Sequence, residues 1–266
     1  MKYIIEYSCV SHIGKLRGIN QDNFICNYEY MSPNTEYYEF PINGTVFPQD
    51  FAVFGVFDGM GGEECGEIAA FIAAETAAKI KFKDEPITQI RTFCKLANRK
   101  ICDYAQDNSI SSMGTTAAML CFCEKEIVLC NVGDSKIFLF SEKNLEQISK
   151  DHITPGPYGK KPALLQNLGI PETEMIIEPY ISRGEYRNGD RYLICSDGLT
   201  DMVPIEQIEE IVDKNTLEEA TQRLLNEALE NGGRDNITVM VFEIKQCKRN
   251  LMNFLYKKQE ETVYAL

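Results

Sequence analysis

Basic residues are in short supply in this 266-residue chain. Its 27 lysines and arginines face 40 aspartates and glutamates, a formal net charge of −13. That balance argues against a nucleic-acid partner, because phosphate backbones are gripped through clustered Lys and Arg. It leaves a phosphorylated substrate open, since a bound cation inverts the local sign of a site. Long apolar runs are missing too. None approaches the roughly 20 residues of a membrane-spanning helix, so stable membrane insertion is not expected. The opening MKYIIEYSCVSHIGKLRGINQD has no secretory apolar core and no small-residue cleavage site. The ten cysteines form no CxxC pair and no regular framework, so reduced, mostly buried thiols in a cytoplasmic protein are expected. GxSxG and GxxxxGK[ST] are absent, which leaves serine-hydrolase and P-loop chemistry without support.

What is present is the composition of an ordinary globular protein, 44% hydrophobic and 25% charged, long enough for one large domain or two small ones. Strand-like runs surround KYIIEYSCV and NFICNY, and 29–50 reads as a hairpin connection or surface loop. A strand over 51–57 precedes helices expected at 63–81 and 86–107, the second with Pro86 in its first turn. Three consecutive strands follow at 113–123, 126–133 and 136–140. The stretch 149–189 is irregular, with a short helix expected at 162–169. A strand at 190–196, helices at 204–213 and 216–231, and a strand at 236–244 complete the pattern, with Thr216 and Glu219 spaced as a capping box. Strands in runs with helices clustered between them point to an α+β fold of antiparallel sheets covered by helices.

The aspartates recur at strand boundaries. Asp58 closes AVFGVF, Asp134 follows EIVLCNVG, Asp197 follows DRYLICS with Asp201 four residues on, Asp235 precedes NITVMVFEI and Asp22 precedes NFICNY. Most sit beside glycine, which lets the backbone turn sharply and approach a bound ion. A single Asp-Gly is a turn signal. Several carboxylates brought together, however, repel one another unless divalent cations sit among them, and oxygen ligands suit Mg²⁺, Mn²⁺ or Ca²⁺. Periodicity alone does not show that these residues converge.

The stretches 17-RGINQD-22, 54-FGVFDGMGG-62, 114-GTTAAM-119, 131-NVGDSKIFLF-140, 149-SKDHITP-155, 194-ICSDGLTD-201 and 233-GRDNITVMV-241 resemble, in order, the type 2C metal-dependent protein phosphatases of bacterial type. The resemblance implies a four-layer α-β-β-α sandwich, two antiparallel sheets flanked by helix pairs, with a metal centre at one end. It implies a catalytic domain over 1–245, with a flap region at about 150–189, and a tail over 246–266. Carried over residue by residue, Asp58 bridges two divalent cations (Mn²⁺ or Mg²⁺) and the Gly59 carbonyl helps bind one of them. Asp197 and Asp235 complete the first ion's ligands, and Asp22 holds the second. Asp134 and Asp201, with Asp197, match a third metal position, and Arg17 matches the arginine that grips the substrate phosphate. The implied reaction is hydrolysis of phosphoserine and phosphothreonine on proteins by a metal-bridging hydroxide, with no covalent intermediate. Implied partners are phosphorylated proteins and a cognate eukaryotic-like Ser/Thr kinase, with the enzyme itself a monomer.

The chain departs from some members at Met60, where they carry a proton-donating His, so a metal-bound water takes that role. Gln21 stands where many members have Glu. His152 is read as a structural hydrogen-bonding residue, and Cys195 as a core thiol because the CxxxxxR phosphate loop of thiol phosphatases is absent. Gly156, Gly159, Gly169 and Gly184 would permit motion of a flap, against the alternative of an ordinary surface loop. The tail pairs basic residues with Leu251, Phe254 and Leu255, which suits a docking helix, a membrane-surface segment, a helix packed on its own domain or a frayed terminus. Two other functions fit the same residues: a non-catalytic binding module on this fold, and a hydrolase of small phosphoesters.

Overall fold

The computed structural model describes residues 2–38, 40–47, 51–60, 65–80, 85–123, 126–154 and 162–247. One sheet holds six strands: β1 (Lys2–His12), β4 (Ile42–Val46), β9 (Lys136–Ser141), β10 (Asn144–Gln147), β12 (Arg191–Cys195) and β13 (Ile237–Cys247), in the order β10-β9-β12-β13-β1-β4. The other runs β11-β8-β7-β5-β2-β3, built from β2 (Asp22–Cys26), β3 (Glu29–Tyr30), β5 (Ala52–Met60), β7 (Ala117–Phe122), β8 (Glu126–Val132) and β11 (Tyr180–Glu185). The short β6 (Gly114–Thr115) pairs with the end of β5. All pairings are antiparallel.

Period-two alternation sorts the side chains into layers. Along β5, Phe54 and Val56 face the space between the sheets, where they meet Phe122 of β7 and Met240 and Phe242 of β13. Val53 and Phe57 point the other way, onto the helices α1 (Gly66–Lys79) and α2 (Pro86–Asp107). The run Ala69, Ala70, Ala73, Ala74 and Ala77 is fully buried, so α1 lies close on the sheet. On the opposite outer face, Val239 and Val241 of β13 pack against α4 (Ile205–Lys214) and α5 (Leu217–Glu230). The expected capping box opens α5: Thr216 Oγ1 accepts from the Glu219 N–H, and the Glu219 carboxylate accepts from the Thr216 N–H at 3.1 Å. The four layers are helices, sheet, sheet, helices, as the motifs implied.

The local differences have physical causes. No helix forms over 162–169. Leu164 and Leu168 instead make isolated bridges to Ile153 and Thr115, and these tertiary backbone bonds outweigh a short run with helical spacing. The region 29–50 contains β4, which caps the sheet edge beside β1, and the irregular stretch 149–189 contains β11. Gly184 is thus a strand residue. Gly169, with φ 115°, is fixed by an N–H bond to Asn98. Neither of these two is a free hinge, while Gly156 and Gly159 lie outside the described residues. Strand β13 continues to Cys247, two residues past the domain boundary expected at 245, and Lys245 bonds Glu6 of β1 at 2.6 Å. The rest of the tail lies outside the described residues. Among the described residues no helix is long and apolar enough to cross a membrane, and no cysteine is in a disulfide.

Candidate active site

At one end of the sandwich the two sheets meet through polar groups. Strand β5 does not stop at Asp58 but runs two residues further, and Asp22, the first residue of β2, sits directly across from Asp58 in the ladder. Asp22 is buried. Its Oδ2 accepts from Ser196 Oγ and Thr238 Oγ1, both at 2.7 Å, and both donors come from the other sheet. Its Oδ1 is buried without a hydrogen-bond partner. Burial pushes the Asp22 carboxyl up to about 7, assisted by Asp235 and Asp197 and opposed by the two hydroxyls. Asp58 opens onto a cleft but is otherwise enclosed. That enclosure, and then the charges of Asp22, Asp197, Asp134 and Asp235, hold its pKa well above the ordinary carboxylate range.

Glycine permits this crowding. A Cβ on Gly59 would lie 2.2 Å from the Gly66 carbonyl oxygen and 2.4 Å from that of Gln21. A Cβ on Gly198 would lie 1.9 Å from the carbonyl oxygen of Asn236. Any side chain at either place would drive apart the segments that carry the carboxylates.

Asp197 begins the short helix α3 (Asp197–Thr200), and Asp235 stands two residues before β13. Arg17 Nη2 donates to Asp235 Oδ2 at 2.7 Å while remaining 46% exposed. The loop bearing Arg17 is held by Asn236, a buried residue whose Nδ2 donates to the carbonyls of Ile13 and Ile19 at 2.8 and 2.9 Å. Its Oδ1 accepts from the Gln21 N–H at 2.8 Å.

These groups line a cleft of about 440 Å³. Of the residues singled out from sequence, Arg17, Asp58, Gly59, Asp134, Asp197 and Asp235 reach it, and Asp22 lies buried behind its wall. Asp201 does not line the cleft. It is exposed one turn beyond Asp197, whose carbonyl accepts its N–H at 2.8 Å. Met60 and Gln21 do line it. His152 is structural here, with Nδ1 accepting from Gly133 N–H at 3.2 Å and its own N–H bonding the Gly133 carbonyl at 2.9 Å, which shapes the turn before Asp134. The Cys195 thiol is buried in the core and pushed up to about 12 by that burial, so it is no nucleophile.

Thr116, Asn236 and the pair Ser196 and Thr238 support the site without a signal of their own in the sequence. Thr116 Oγ1 accepts the Asp58 N–H at 3.0 Å and shares a 2.6 Å bond with Ser135, so it pins the backbone of the central carboxylate. GTTAAM, ICSDGLTD and DNITV contain these residues, but nothing in a one-dimensional pattern separates a buried polar side chain in or beside a strand from a core position.

The donor set suits a hard, oxygen-seeking cation: several carboxylates, one buried carboxylate oxygen lacking any donor, and neither His nor Cys at the cleft. Among the described residues no three acidic, His or Cys side chains are spaced to hold an ion unaided.

The sequence profile of the family described as protein phosphatase 2C matches residues 44–240. The chain belongs to the protein phosphatase 2C family. Among its relatives, the serine/threonine phosphatase Stp of Listeria monocytogenes is 32% identical over 227 residues, 76% of this chain and 88% of its own. Protein phosphatase PhpP of Streptococcus pneumoniae is 28% identical over 263 residues, 91% of this chain and 98% of its own. In structure, the catalytic domain of the serine/threonine protein phosphatase PstP, solved in complex with two manganese ions, superposes with a TM-score of 0.74 at 27% identity. The match covers 92% of this chain and 100% of that one. The two antiparallel sheets flanked by helices are thus the protein phosphatase 2C fold.

Proposed function

We propose that this chain is a metal-dependent serine/threonine protein phosphatase that hydrolyses phosphoserine and phosphothreonine on proteins. The observation that carries the reading is Asp58, enclosed among four other carboxylates in a cleft with Arg17 at its rim. Asp58 is suited to bridge two divalent cations, Mn²⁺ or Mg²⁺. Asp197, Asp235 and the Gly59 carbonyl would hold one of them, and Asp22, whose Oδ1 has no hydrogen-bond partner, would hold the other. Asp134 at the cleft, with Asp197 and the more distant Asp201, is suited to a third. When bound, such ions supply an activated water and draw off phosphoryl charge.

The chain's own residues do the rest. The planar fork of Arg17 suits a phosphate dianion, and Arg17 turns from Asp235 to the substrate when the phosphoryl group enters. Thr116 and Asn236 fix Asp58 and the Arg17 loop before substrate arrives, so little reorganisation accompanies the reaction. Met60 has no proton to give, so the leaving alkoxide takes its proton from solvent in the cleft. The substrates are phosphorylated proteins, including those of a cognate eukaryotic-like Ser/Thr kinase. The enzyme acts as a cytoplasmic monomer.

Purified protein should hydrolyse p-nitrophenyl phosphate with Mn²⁺ and lose that turnover with EDTA. Absence of turnover at any Mn²⁺ concentration would instead mark a binding module on this fold. Turnover of free nucleotides or sugar phosphates above that of phosphopeptides would mark a small-phosphoester hydrolase. Arg17→Ala should raise KM for a phosphoprotein by about 10–100-fold, the loss of a hydrogen bond to a charged group. An unchanged KM would remove Arg17 from the phosphate site.

A further inference from the structure

Among the large apolar side chains exposed on the described residues, several lie on the loop that carries Arg17 and on segments beside it. Leu16 is 71% exposed and Ile19 54%, on either side of Arg17 in the loop that Asn236 holds. Tyr37 is 54% exposed, on the adjoining segment. That segment is tied to the same loop in two ways. Asn20 Nδ2 donates to the Glu36 carbonyl at 3.1 Å, and Tyr37 bridges His12, with the two rings 5.5 Å apart. On the segment that supplies Pro162 and Leu164 to the cleft, Leu165 is 48% exposed as well.

The loop is attached through backbone and through Asn20 and Asn236, while the Tyr37 ring also rests on His12. Exposed apolar side chains gathered on one loop and on the segment tied to it, beside a polar cleft, suit an interaction site. Its position names the occupant. A phosphorylated side chain reaching Arg17 and Asp58 brings its own neighbours in sequence across Leu16, Ile19 and Tyr37.

We infer that Leu16, Ile19 and Tyr37 form a docking rim for the polypeptide around the phosphorylated residue. The rim selects substrates with aliphatic or aromatic residues beside the phosphoserine or phosphothreonine. The inference rests on the phosphatase reading given above. It deepens that reading by assigning peptide recognition to the loop that also carries the phosphate-binding arginine.

The test uses the full chain with Mn²⁺ and three probes: p-nitrophenyl phosphate, a phosphothreonine peptide flanked by Leu and Phe, and the same peptide flanked by Asp and Glu. The wild type should show kcat/KM about tenfold higher for the apolar-flanked peptide, the effect of partly burying one aliphatic side chain. The double variant Ile19→Ser with Tyr37→Ser should bring the two peptides to parity through a higher KM for the apolar one. Its turnover of p-nitrophenyl phosphate, which does not extend to the rim, should match the wild type. Equal kcat/KM for both peptides in the wild type, a preference for the acidic peptide, or a preference that survives the double variant would each overturn the rim. Wild-type protein that leaves p-nitrophenyl phosphate untouched would overturn the phosphatase reading itself, and the rim with it.

Discussion

Asp58→Asn is expected to lower kcat on p-nitrophenyl phosphate by about 10³-fold or more, the scale seen when preorganised charge stabilisation is removed. The same change should make the chelated protein more stable. Asn keeps the volume and the backbone N–H bond to Thr116 but removes a negative charge crowded by Asp22, Asp197, Asp134 and Asp235. The sign follows from linkage. Asp58 holds its proton more tightly folded than unfolded, so rising pH costs the metal-free folded state stability until both forms are ionised. The substitution removes that contribution. Asp22, pushed up to about 7, leaves a residual decline from the ordinary carboxylate range up to that value. Thermal melts in EDTA across pH 5 to 8 would show it, with about 2–4 °C for each ~1 kcal/mol in a domain of this size. Loss of activity together with a lower melting temperature in EDTA would mean that Asp58 supports the fold and not the chemistry. Asp197→Asn should lose activity in the same way, and retained turnover in either variant would refute their assignment to the metal centre.

The second large effect is structural and lies beside the chemistry. Asn236→Ala should destabilise the protein by about 3 kcal/mol, because three part-buried partners lose their hydrogen bonds at a cost of ~1 kcal/mol each. Those partners are the carbonyls of Ile13 and Ile19 and the N–H of Gln21. With them goes the geometry of the loop carrying Arg17, so KM for phosphopeptide should rise together with the loss of stability. Denaturant unfolding and steady-state kinetics on the same preparation check both. A variant with wild-type stability would show that solvent replaces the asparagine and that it anchors nothing.

The layered fold was legible because its signals are local and repeated. The alternation in AVFGVF and NITVMVFEI, the alanine-rich run of α1 and the Thr216–Glu219 cap each state their structure over a few residues. The carboxylates were legible as a set of strand-edge aspartates, but their meeting place was not. Asp22 and Asp58 face one another through a strand register, and Asp22 reaches Ser196 and Thr238 across two sheets. Such pairings are fixed by topology and leave no periodic trace. The short helix expected at 162–169 failed for the converse reason: its helical spacing was real, but backbone bridges to Ile153 and Thr115 outcompeted it. Asp201 reads from sequence like its neighbours and yet lies outside the cleft.

The bonds from Ser196 and Thr238 to Asp22 carry one more implication. Midway along the sandwich the sheets adhere through interlocked rings such as Phe54, Phe122 and Phe242. At the acidic end they are fastened by hydroxyls gripping a single carboxylate, with like charges pushing outward around it. Cations held there would do more than equip a reaction: by offsetting those charges they would act as a clasp on a seam, tying occupancy of the centre to the rigidity of that end of the molecule.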